Sequence, residues 1–325
     1  MRRNTALLLA LVLLTGSASA LFGKKAEPQT LQEGAPMARD VAIRTYRDIP
    51  YEAQFLASDS EGDDMTFAVL EEPKKGSVSV DGVNFTYTPH KGVTGTDRFT
   101  YTATDSGGRT SLPATVTVTV DRTKSGVTYS DMDGNAAAAA AQTLAEAGIF
   151  TGAQIGGQYY FEPDRPVSRS EFLAMVLEAA GREVTAVTVT GFSDDSAIPV
   201  WAKAYASAGV AEGIVQGKRS DEGAVFRGGE TVTFNEAATM LNRVLALGDV
   251  DLDEWYADRD AAPSWAAQAV GNMEAVSVLS AGSFGSLTME EAVKRADAAQ
   301  MLCAAKTLLE GDEPRSLKEW WQEQL

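Results

Sequence analysis

Reactive side chains are scarce in this sequence of 325 residues, which holds one cysteine, Cys303, and one histidine, His90. A lone cysteine excludes a disulfide framework and a cysteine-based metal site. A lone histidine, placed by its surroundings in a loop, leaves little basis for a His-dependent catalytic triad or for most zinc chemistry. The sequence therefore offers little to the common classes of nucleophilic and metal-dependent enzymes.

Basic residues are also few, with 28 lysines and arginines against 45 acidic residues and a formal net charge of −17. A pI near 4.5 argues against nucleic acid or anionic lipid as a partner. The hydrophobic fraction of 44% is ordinary for a globular protein. We therefore expect a folded chain of about two domains with an acidic, solvated surface.

Long apolar runs are absent apart from the start of the chain. Arg2 and Arg3 precede the apolar run Ala6–Leu14, and small residues lead up to a cleavage point after Ala20. This pattern predicts a signal peptide over residues 1–20. The protein is then exported and has no membrane span after cleavage, an uncleaved anchor being the alternative.

Residues 21–35 are polar and predict a linker. Residues 36–120 carry short runs with strand period, rich in β-branched and aromatic residues and separated by Gly, Pro and Asp. Regular short strands over such a length indicate a β-sandwich. The clearest runs are Thr66–Leu70, Ser77–Val80, Asn84–Thr88, Arg98–Thr102 and Ala114–Val120.

The same stretch resembles bacterial cadherin-like and immunoglobulin-like (Ig-like) modules. The resemblance is carried by the strings ASDSEGD from Ala57, FTYTP from Phe85 and GTDRFTY from Gly95. It implies a spacer or adhesive module, with a protein partner left open. Four acidic loop residues are candidate Ca²⁺ ligands at one end of the sandwich, the alternative being simple solvated turns. They are Asp59, Glu61, Asp63 and Asp105.

After a short linker at 121–128 the hydrophobic period changes from two to 3.6. A sixteen-residue pattern then occurs three times, which indicates a repeat architecture. An alanine-rich or amphipathic stretch precedes each copy, so each repeat is predicted as helix, loop, helix. The repeats are placed at 129–182, 190–246 and 253–310. Their sixteen-residue copies are Phe161–Val176, Phe226–Leu241 and Leu287–Leu302.

Two of these copies contain the spacing of a capping box, Ser168 with Glu171 and Thr233 with Glu236. In a capping box the hydroxyl and the carboxylate each accept a hydrogen bond from a free backbone N–H at the start of a helix. We therefore expect the second helix of the first two repeats to begin just after Ser168 and Thr233.

Each repeat combines an aromatic-x-Asp triplet, a helix, a turn and a Thr-Arg-Ala-Glu-like box. This combination resembles the S-layer homology domain and covers about 129–310. The resemblance implies a pseudo-threefold helical bundle with ligand grooves between repeats. It also implies non-covalent attachment to secondary cell-wall polymer, often a pyruvylated glycan, on a Gram-positive-type envelope. The whole chain is thus predicted to be multidomain, all-β and then all-α.

The resemblance further implies which residues bind the glycan. The box arginine, a partner for an acidic sugar, stands at Arg169 and Arg295, but Phe234 replaces it in the second repeat. Trp201 and Trp265 are expected to stack on sugar rings. A surface ion pair for each arginine, and core packing for each tryptophan, are equally open. The other candidates are Asp131, Asp194, Asp258, Gly152 and Gly217.

We therefore expect a secreted, non-enzymatic protein of the cell wall or S-layer that displays its β-sandwich, with no cofactor apart from the Ca²⁺ considered above. Phe234, Ala136 and Ser277 depart from the family pattern, so an assembly module with weakened glycan binding is one alternative. A glycan hydrolase with paired carboxylates is another. The tail, 311–325, is predicted to be a helix.

Overall fold

The computed structural model describes residues 33–311. The predicted signal peptide, most of the linker at 21–35 and nearly all of the tail at 311–325 lie outside these residues. The described chain divides into two compact units, whose main parts are residues 33–124 and 140–311. No helix within 33–311 has the length and apolar character needed to cross a membrane.

The first unit is built from β-strands in which residues alternate between the core and the surface. In β9, for example, every second residue is buried, as expected for a strand with one face on a core. The strands are β1 (Met37–Arg39), β2 (Val41–Tyr46), β3 (Tyr51–Gln54), β4 (Leu56–Ser58), β5 (Thr66–Glu71), β6 (Gly76–Asp81), β7 (Asn84–Pro89), β8 (Gly95–Thr104) and β9 (Ala114–Asp121).

These strands form two main sheets. The larger has the order β2-β9-β8-β5, in which β2 runs parallel to β9 and the other neighbours are antiparallel. The smaller has the antiparallel order β3-β7-β6, and β1 pairs with β4 in a separate ladder. Two sheets with apolar inner faces make a β-sandwich, so the predicted fold class of this unit is confirmed.

Aromatic residues from both sheets fill the core of the sandwich. Tyr87 and Tyr101 are completely buried, and Phe85 and Phe99 nearly so. The ring of Phe55 lies 4.7 Å from that of Phe85 and 4.4 Å from that of Tyr101, centroid to centroid. Burying a side chain of this size contributes about 1.5–3 kcal/mol, so this cluster supplies much of the stability of the unit.

The second unit combines seven α-helices with two short β-hairpins within the described residues. Its helices are α1 (Ala138–Glu146), α2 (Arg169–Ala179), α3 (Val200–Ala211), α4 (Phe234–Leu245), α5 (Leu252–Trp255), α6 (Ala267–Ala275) and α7 (Arg295–Leu309). Its strands are β10 (Ala153–Ile155), β11 (Gln158–Tyr160), β12 (Lys218–Ser220) and β13 (Gly223–Val225), paired as β10-β11 and β12-β13.

The starts of α2 and α4 confirm both predicted capping boxes. Ser168 Oγ accepts from the backbone N–H of Glu171 at 3.2 Å, and the Glu171 carboxylate accepts from Ser168 N at 2.8 Å. Thr233 and Glu236 repeat this exchange at 3.3 and 3.4 Å. Each box satisfies two N–H groups that a helix otherwise leaves without partners, which fixes where each helix begins.

Three equivalent valines join the three predicted repeats at one point. Val167 N donates to Val293 O at 2.9 Å, Val293 N donates to Val232 O at 2.9 Å, and Val232 N donates to Val167 O at 3.0 Å. All three side chains are at most 1% exposed. The backbone hydrogen bonds thus form a closed ring, which we call the valine ring. Each predicted repeat contributes one member to it.

The predicted helical second half is confirmed, and its loops contain two short hairpins that the sequence analysis did not identify. The loops of the first two predicted repeats contain the hairpins β10-β11 and β12-β13. Each strand has only three residues, and Gly156 and Gly157, both with positive φ, form the turn of the first hairpin. A run of three residues is too short to show a strand period in the sequence.

Candidate functional site

The three box positions, Arg169, Phe234 and Arg295, lie beside the valine ring. Each begins its helix with its backbone N–H donated to a loop of another predicted repeat. Arg169 N donates to Glu230 O at 2.8 Å, and Arg295 N donates to Arg165 O at 2.9 Å. Phe234 N donates to Glu291 O at 3.3 Å. The box therefore marks the boundaries between the predicted repeats, where the resemblance led us to expect ligand grooves.

Arg169 is held inside the protein. Its Nη1 lies 3.3 Å from Glu236 Oε1, and its guanidinium lies 5.7 Å from the centre of the Phe226 ring. Only 12% of its side chain is exposed. Burial lowers the pKa of Arg169, while the Glu236 carboxylate acts in the opposite direction.

Arg295 has a similar environment on another boundary. Its Nη1 donates to Glu162 Oε2 at 2.7 Å and to Phe161 O at 3.0 Å, and its side chain is 7% exposed. The guanidinium lies 4.9 Å from the centre of the Phe150 ring. Burial and then the nearby Arg165 lower the pKa of Arg295. Both arginines thus have carboxylate partners within the chain, and binding of an acidic sugar by them stays a prediction.

The aspartates of the opening triplets accept hydrogen bonds from backbone N–H groups. The two carboxylate oxygens of Asp131 accept from Phe161 N and Glu162 N at 2.9 and 2.7 Å. Those of Asp194 accept from Phe226 N and Arg227 N, both at 2.8 Å. Asp258 differs, because it accepts from Asp260 N at 3.1 Å. In the first two predicted repeats this aspartate therefore ties the triplet to the loop before the box.

The two predicted glycines occupy positions where a side chain does not fit. Gly152 has φ of +71°, and a Cβ there would lie 2.2 Å from Tyr160 O. Gly217 has φ of +76°, and a Cβ there would lie 2.7 Å from the Phe192 ring. The absence of a side chain lets the chain at Gly152 and Gly217 lie close to the backbone of the hairpin that follows each glycine.

Both predicted tryptophans are open to solvent. Trp201 is 51% exposed at the start of α3, and Trp265 is 58% exposed just before α6. An exposed tryptophan offers a flat apolar face and an N–H donor. Core packing is excluded for both side chains, and stacking on a sugar ring agrees with their exposure.

A cavity that the sequence did not indicate lies between the start of α4 and two loops of the third predicted repeat. Its volume is about 340 Å³. The buried residues Asn235, Ala262 and Met289 contribute to its lining, as do the exposed carboxylates of Asp260 and Glu290. Asn235 holds the box position that is Ser170 in the first predicted repeat and Ala296 in the third. This difference between the repeats is the feature of the sequence that could have pointed to the cavity.

In the first unit, three of the four predicted Ca²⁺ ligands pair with Arg109, and the fourth, Asp59, lies beside two of them. The Arg109 side chain pairs with Asp105 at 2.6 Å, with Asp63 at 3.5 Å and with Glu61. Asp59 Oδ1 accepts from the backbone N–H groups of Glu61 and Asp63.

Ca²⁺ fits this cluster only in part. Oxygen atoms of Asp59, Glu61 and Asp63 lie within 4.8 Å of one another, and Asp59 Oδ2 is buried without a partner. Oxygen ligands suit Ca²⁺. However, the guanidinium of Arg109 already neutralises part of the cluster, so Ca²⁺ binding stays a prediction.

Comparison with protein families agrees with the order of the two units. Residues 33–121 match the family model of a bacterial Ig domain. Residues 128–173 match the family model of the S-layer homology domain. The chain therefore carries an Ig-like module followed by an S-layer homology domain, two domain types that are typically non-catalytic. No curated protein sequence matches the chain.

Several solved structures resemble part of the chain at low scores. An endo-fucoidan hydrolase from glycoside hydrolase family 107 is 20% identical with a TM-score of 0.24, over 30% of this chain and 15% of the hydrolase. The fibronectin(III)-like modules of Clostridium thermocellum CbhA are 19% identical with a TM-score of 0.20, over 27% of this chain and 47% of the CbhA chain. The PKD domain of human KIAA0319 is 14% identical with a TM-score of 0.18, over 35% of this chain and 98% of the PKD domain. Scores this low carry no functional argument.

Proposed function

We propose that this chain, an Ig-like module followed by an S-layer homology domain, is a non-enzymatic protein of the cell surface that binds wall glycan through its second unit. The observation that carries the proposal is the match of residues 128–173 to the S-layer homology domain. Such domains attach proteins to secondary cell-wall polymers.

We propose further that residues 190–246 and 253–310 are two more copies of this domain. The valine ring supports this extension, because Val167, Val232 and Val293 exchange equivalent hydrogen bonds. The repeated capping box at Thr233 and Glu236 supports it as well. Three copies on one rigid body would add weak binding events through effective concentration.

The exposed tryptophans are the best-placed contacts for the glycan. Trp201 and Trp265 each present about half of their surface to solvent at equivalent positions of the second and third copies. A sugar ring stacked on such a face buries apolar area while its hydroxyls stay hydrated. The proposed partner is secondary cell-wall polymer of a Gram-positive-type envelope, and the protein is proposed to be secreted to the cell wall or S-layer.

Recognition of a pyruvylated sugar by Arg169 and Arg295 is the finer part of the proposal. A pyruvyl carboxylate could bind a guanidinium in two-pronged geometry. It would have to displace Glu236 from Arg169 or Glu162 from Arg295, because these pairs exist within the protein. We therefore assign affinity mainly to the tryptophans and selectivity for acidic sugars to the arginines.

Co-sedimentation of the full chain with purified peptidoglycan, carrying or lacking its secondary polymer, tests this function. The proposal predicts pelleting with the polymer-bearing wall and a large loss when the polymer is removed. A chain that stays in the supernatant with both wall preparations would refute glycan attachment.

An assembly module is the second candidate, favoured by Phe234, which cannot pair with a carboxylate, and by the internal ion pairs of both arginines. Under this alternative the chain self-associates without any wall. Sedimentation velocity of the pure protein at increasing concentration distinguishes the two, since a glycan-binding module stays at one sedimentation coefficient.

A further inference from the structure

The last strand of the first unit, β9, is the strand from which the chain continues into the second unit. Only residues 122–124 separate its end at Asp121 from Ser125, which belongs to the second unit. Ser125 is fixed there, because its backbone N–H and its hydroxyl donate to the Glu146 carboxylate of α1 at 3.0 and 2.6 Å. A pull on the second unit therefore reaches β9 along a very short piece of chain.

Within its sheet, β9 is held on both sides. It forms six register pairs with β2 on one side and seven with β8 on the other. An edge strand would have only one such ladder, so removal of β9 from the sheet has to break two ladders at once. Its core-facing residues are all at most 3% exposed: Ala114, Val116, Val118 and Val120.

The direction of β2 decides how these hydrogen bonds are loaded. β2 runs parallel to β9, and the described chain enters the unit before β2 and leaves it after β9. Tension between these two points pulls the two strands in opposite directions along their common axis. Because the hydrogen bonds of a ladder run from strand to strand, such tension loads all of them together in shear. Tension applied at one end of the ladder would instead open them one after another.

Both ends of the β2-β9 ladder carry additional hydrogen bonds. At its start, Thr115 N donates to Asp40 Oδ1 at 2.7 Å. At its end, the backbone oxygen of Asp121 accepts from Arg47 N at 2.8 Å, and the Asp121 carboxylate accepts from Arg44 Nη1 at 3.0 Å. These bonds connect β2 and the residues beside it to β9, so sliding of β9 along β2 has to break them as well.

We propose that the first unit is a tension-bearing link, in which the ladder between β2 and β9 resists a pull along the chain between the residues before β2 and the wall-bound second unit. The inference rests on the proposed function, because attachment to the wall fixes one end of the link. It gives the Ig-like module a mechanical role beyond that of a spacer. The lifetime of the folded unit under tension measures this role, since forced unfolding is governed by the unfolding rate.

Single-molecule measurements at constant tension on the full chain test the inference through two attachment geometries. Handles at Glu33→Cys and Arg122→Cys load the ladder in shear, whereas handles at Pro50→Cys and Arg122→Cys pull at one end of it. All three positions are exposed, and Cys303→Ser in both chains leaves only the introduced thiols. The proposal predicts a lifetime at least about tenfold longer in the first geometry, which corresponds to about 1.4 kcal/mol in the barrier. Equal lifetimes, or a longer lifetime in the second geometry, would overturn it.

Asp40→Ala separates loading in shear from opening at one end. It removes the hydrogen bond from Thr115 N, at the end of the ladder away from Pro50. In shear every bond carries load, so the lifetime should fall about fivefold, or about 1 kcal/mol. With the handle at Pro50 the bonds near Asp121 open first, so the lifetime should stay the same. An equal loss of lifetime in both geometries would contradict the shear mechanism.

Glu52→Ala is the matched control, because Glu52 is exposed on β3, which belongs to the other main sheet. Its lifetimes should equal those of the parent chain in both geometries. Wall pelleting of the same chains keeps the two proposals apart. Pelleting combined with equal lifetimes in the two geometries defeats only the mechanical role. Lifetimes that differ as predicted, in a chain that does not pellet, defeat only wall attachment.

Discussion

The guanidinium of Arg169 lies 3.3 Å from the carboxylate of Glu236, and this ion pair connects the start of α2 to the start of α4. The same glutamate also caps α4 and pairs with Lys218 at 2.9 Å. Arg169 therefore stabilises the boundary between two predicted repeats, whatever else it binds. Loss of binding in an arginine variant must be separated from loss of stability.

Arg169→Ala should lower the free energy of unfolding of the second unit by about 1–3 kcal/mol. Breaking a buried ion pair costs more than this, but Lys218 remains to balance Glu236. Denaturant unfolding followed by tryptophan fluorescence measures it well, because all five tryptophans lie beyond residue 200.

Arg227→Ala is the matched control for that experiment. Its side chain is 45% exposed and lies 3.7 Å from Glu230, so the change should stay within about 0.5 kcal/mol. If Arg169→Ala were as stable as Arg227→Ala, the structural role of the Arg169–Glu236 pair would be refuted.

Gly152→Ala should destabilise the second unit more than Gly156→Ala. Both glycines have positive φ, +71° and +60°, which costs an alanine about 1–2 kcal/mol. Only at Gly152 would the Cβ meet backbone, Tyr160 O at 2.2 Å. Thermal unfolding should show a further loss of about 2 kcal/mol for Gly152→Ala. Equal unfolding temperatures of the two variants would contradict the close approach.

Asp97 should make the first unit less stable in acid. Burial alone would raise the pKa of Asp97, but hydrogen bonds from Lys75 N, Lys74 N, Arg98 N and the Tyr87 hydroxyl lower it below its ordinary value. Because the folded-state pKa is lowered, the stabilisation is complete above the unfolded-state value and is lost as the pH falls through the folded-state value. The carboxyl ¹³C shift of Asp97 should titrate at a lower pH than that of an ordinary aspartate, and a midpoint at or above the ordinary value would be inconsistent with these bonds.

Arg109→Ala should increase the affinity of the acidic cluster for Ca²⁺ by about tenfold, or about 1.4 kcal/mol. The guanidinium pairs with Glu61, Asp63 and Asp105, so a cation must compete with it for the same oxygens. Calorimetric titration of the full chain with Ca²⁺ measures the change. Arg98→Ala, at an exposed position of β8, is the control. Ca²⁺ affinity that is the same in both variants would contradict the competition.

Local features of the fold were predictable from the sequence. The five clearest strand runs coincide with β5 to β9, because their alternation of apolar and polar residues matches one buried face. Both capping boxes were predictable because they involve residues only three positions apart. The strands β1 to β4 were not identified individually, and three of them, β1, β3 and β4, have only three or four residues, too few to show a strand period.

Long-range features of the site were not predictable. The repeats indicated that Arg169 and Arg295 are equivalent, but their partners Glu236 and Glu162 lie in other predicted repeats. Whether an arginine is free or paired depends on how the three segments meet, which a single sequence does not contain. The same holds for the cavity lined by Asn235, Ala262 and Met289, whose walls come from two predicted repeats.

Binding of polymer-bearing wall by the variant Trp201→Ala with Trp265→Ala tests the central claim most directly. Both side chains are more than half exposed, so the unfolding temperature should hardly change, and Val200→Ala, 84% exposed beside Trp201, is the control. The account predicts that the dissociation constant in the pelleting assay rises about tenfold or more, since each stacked ring contributes about 1 kcal/mol. Wall binding equal to that of the wild-type chain, in a folded double variant, would contradict glycan attachment through these tryptophans.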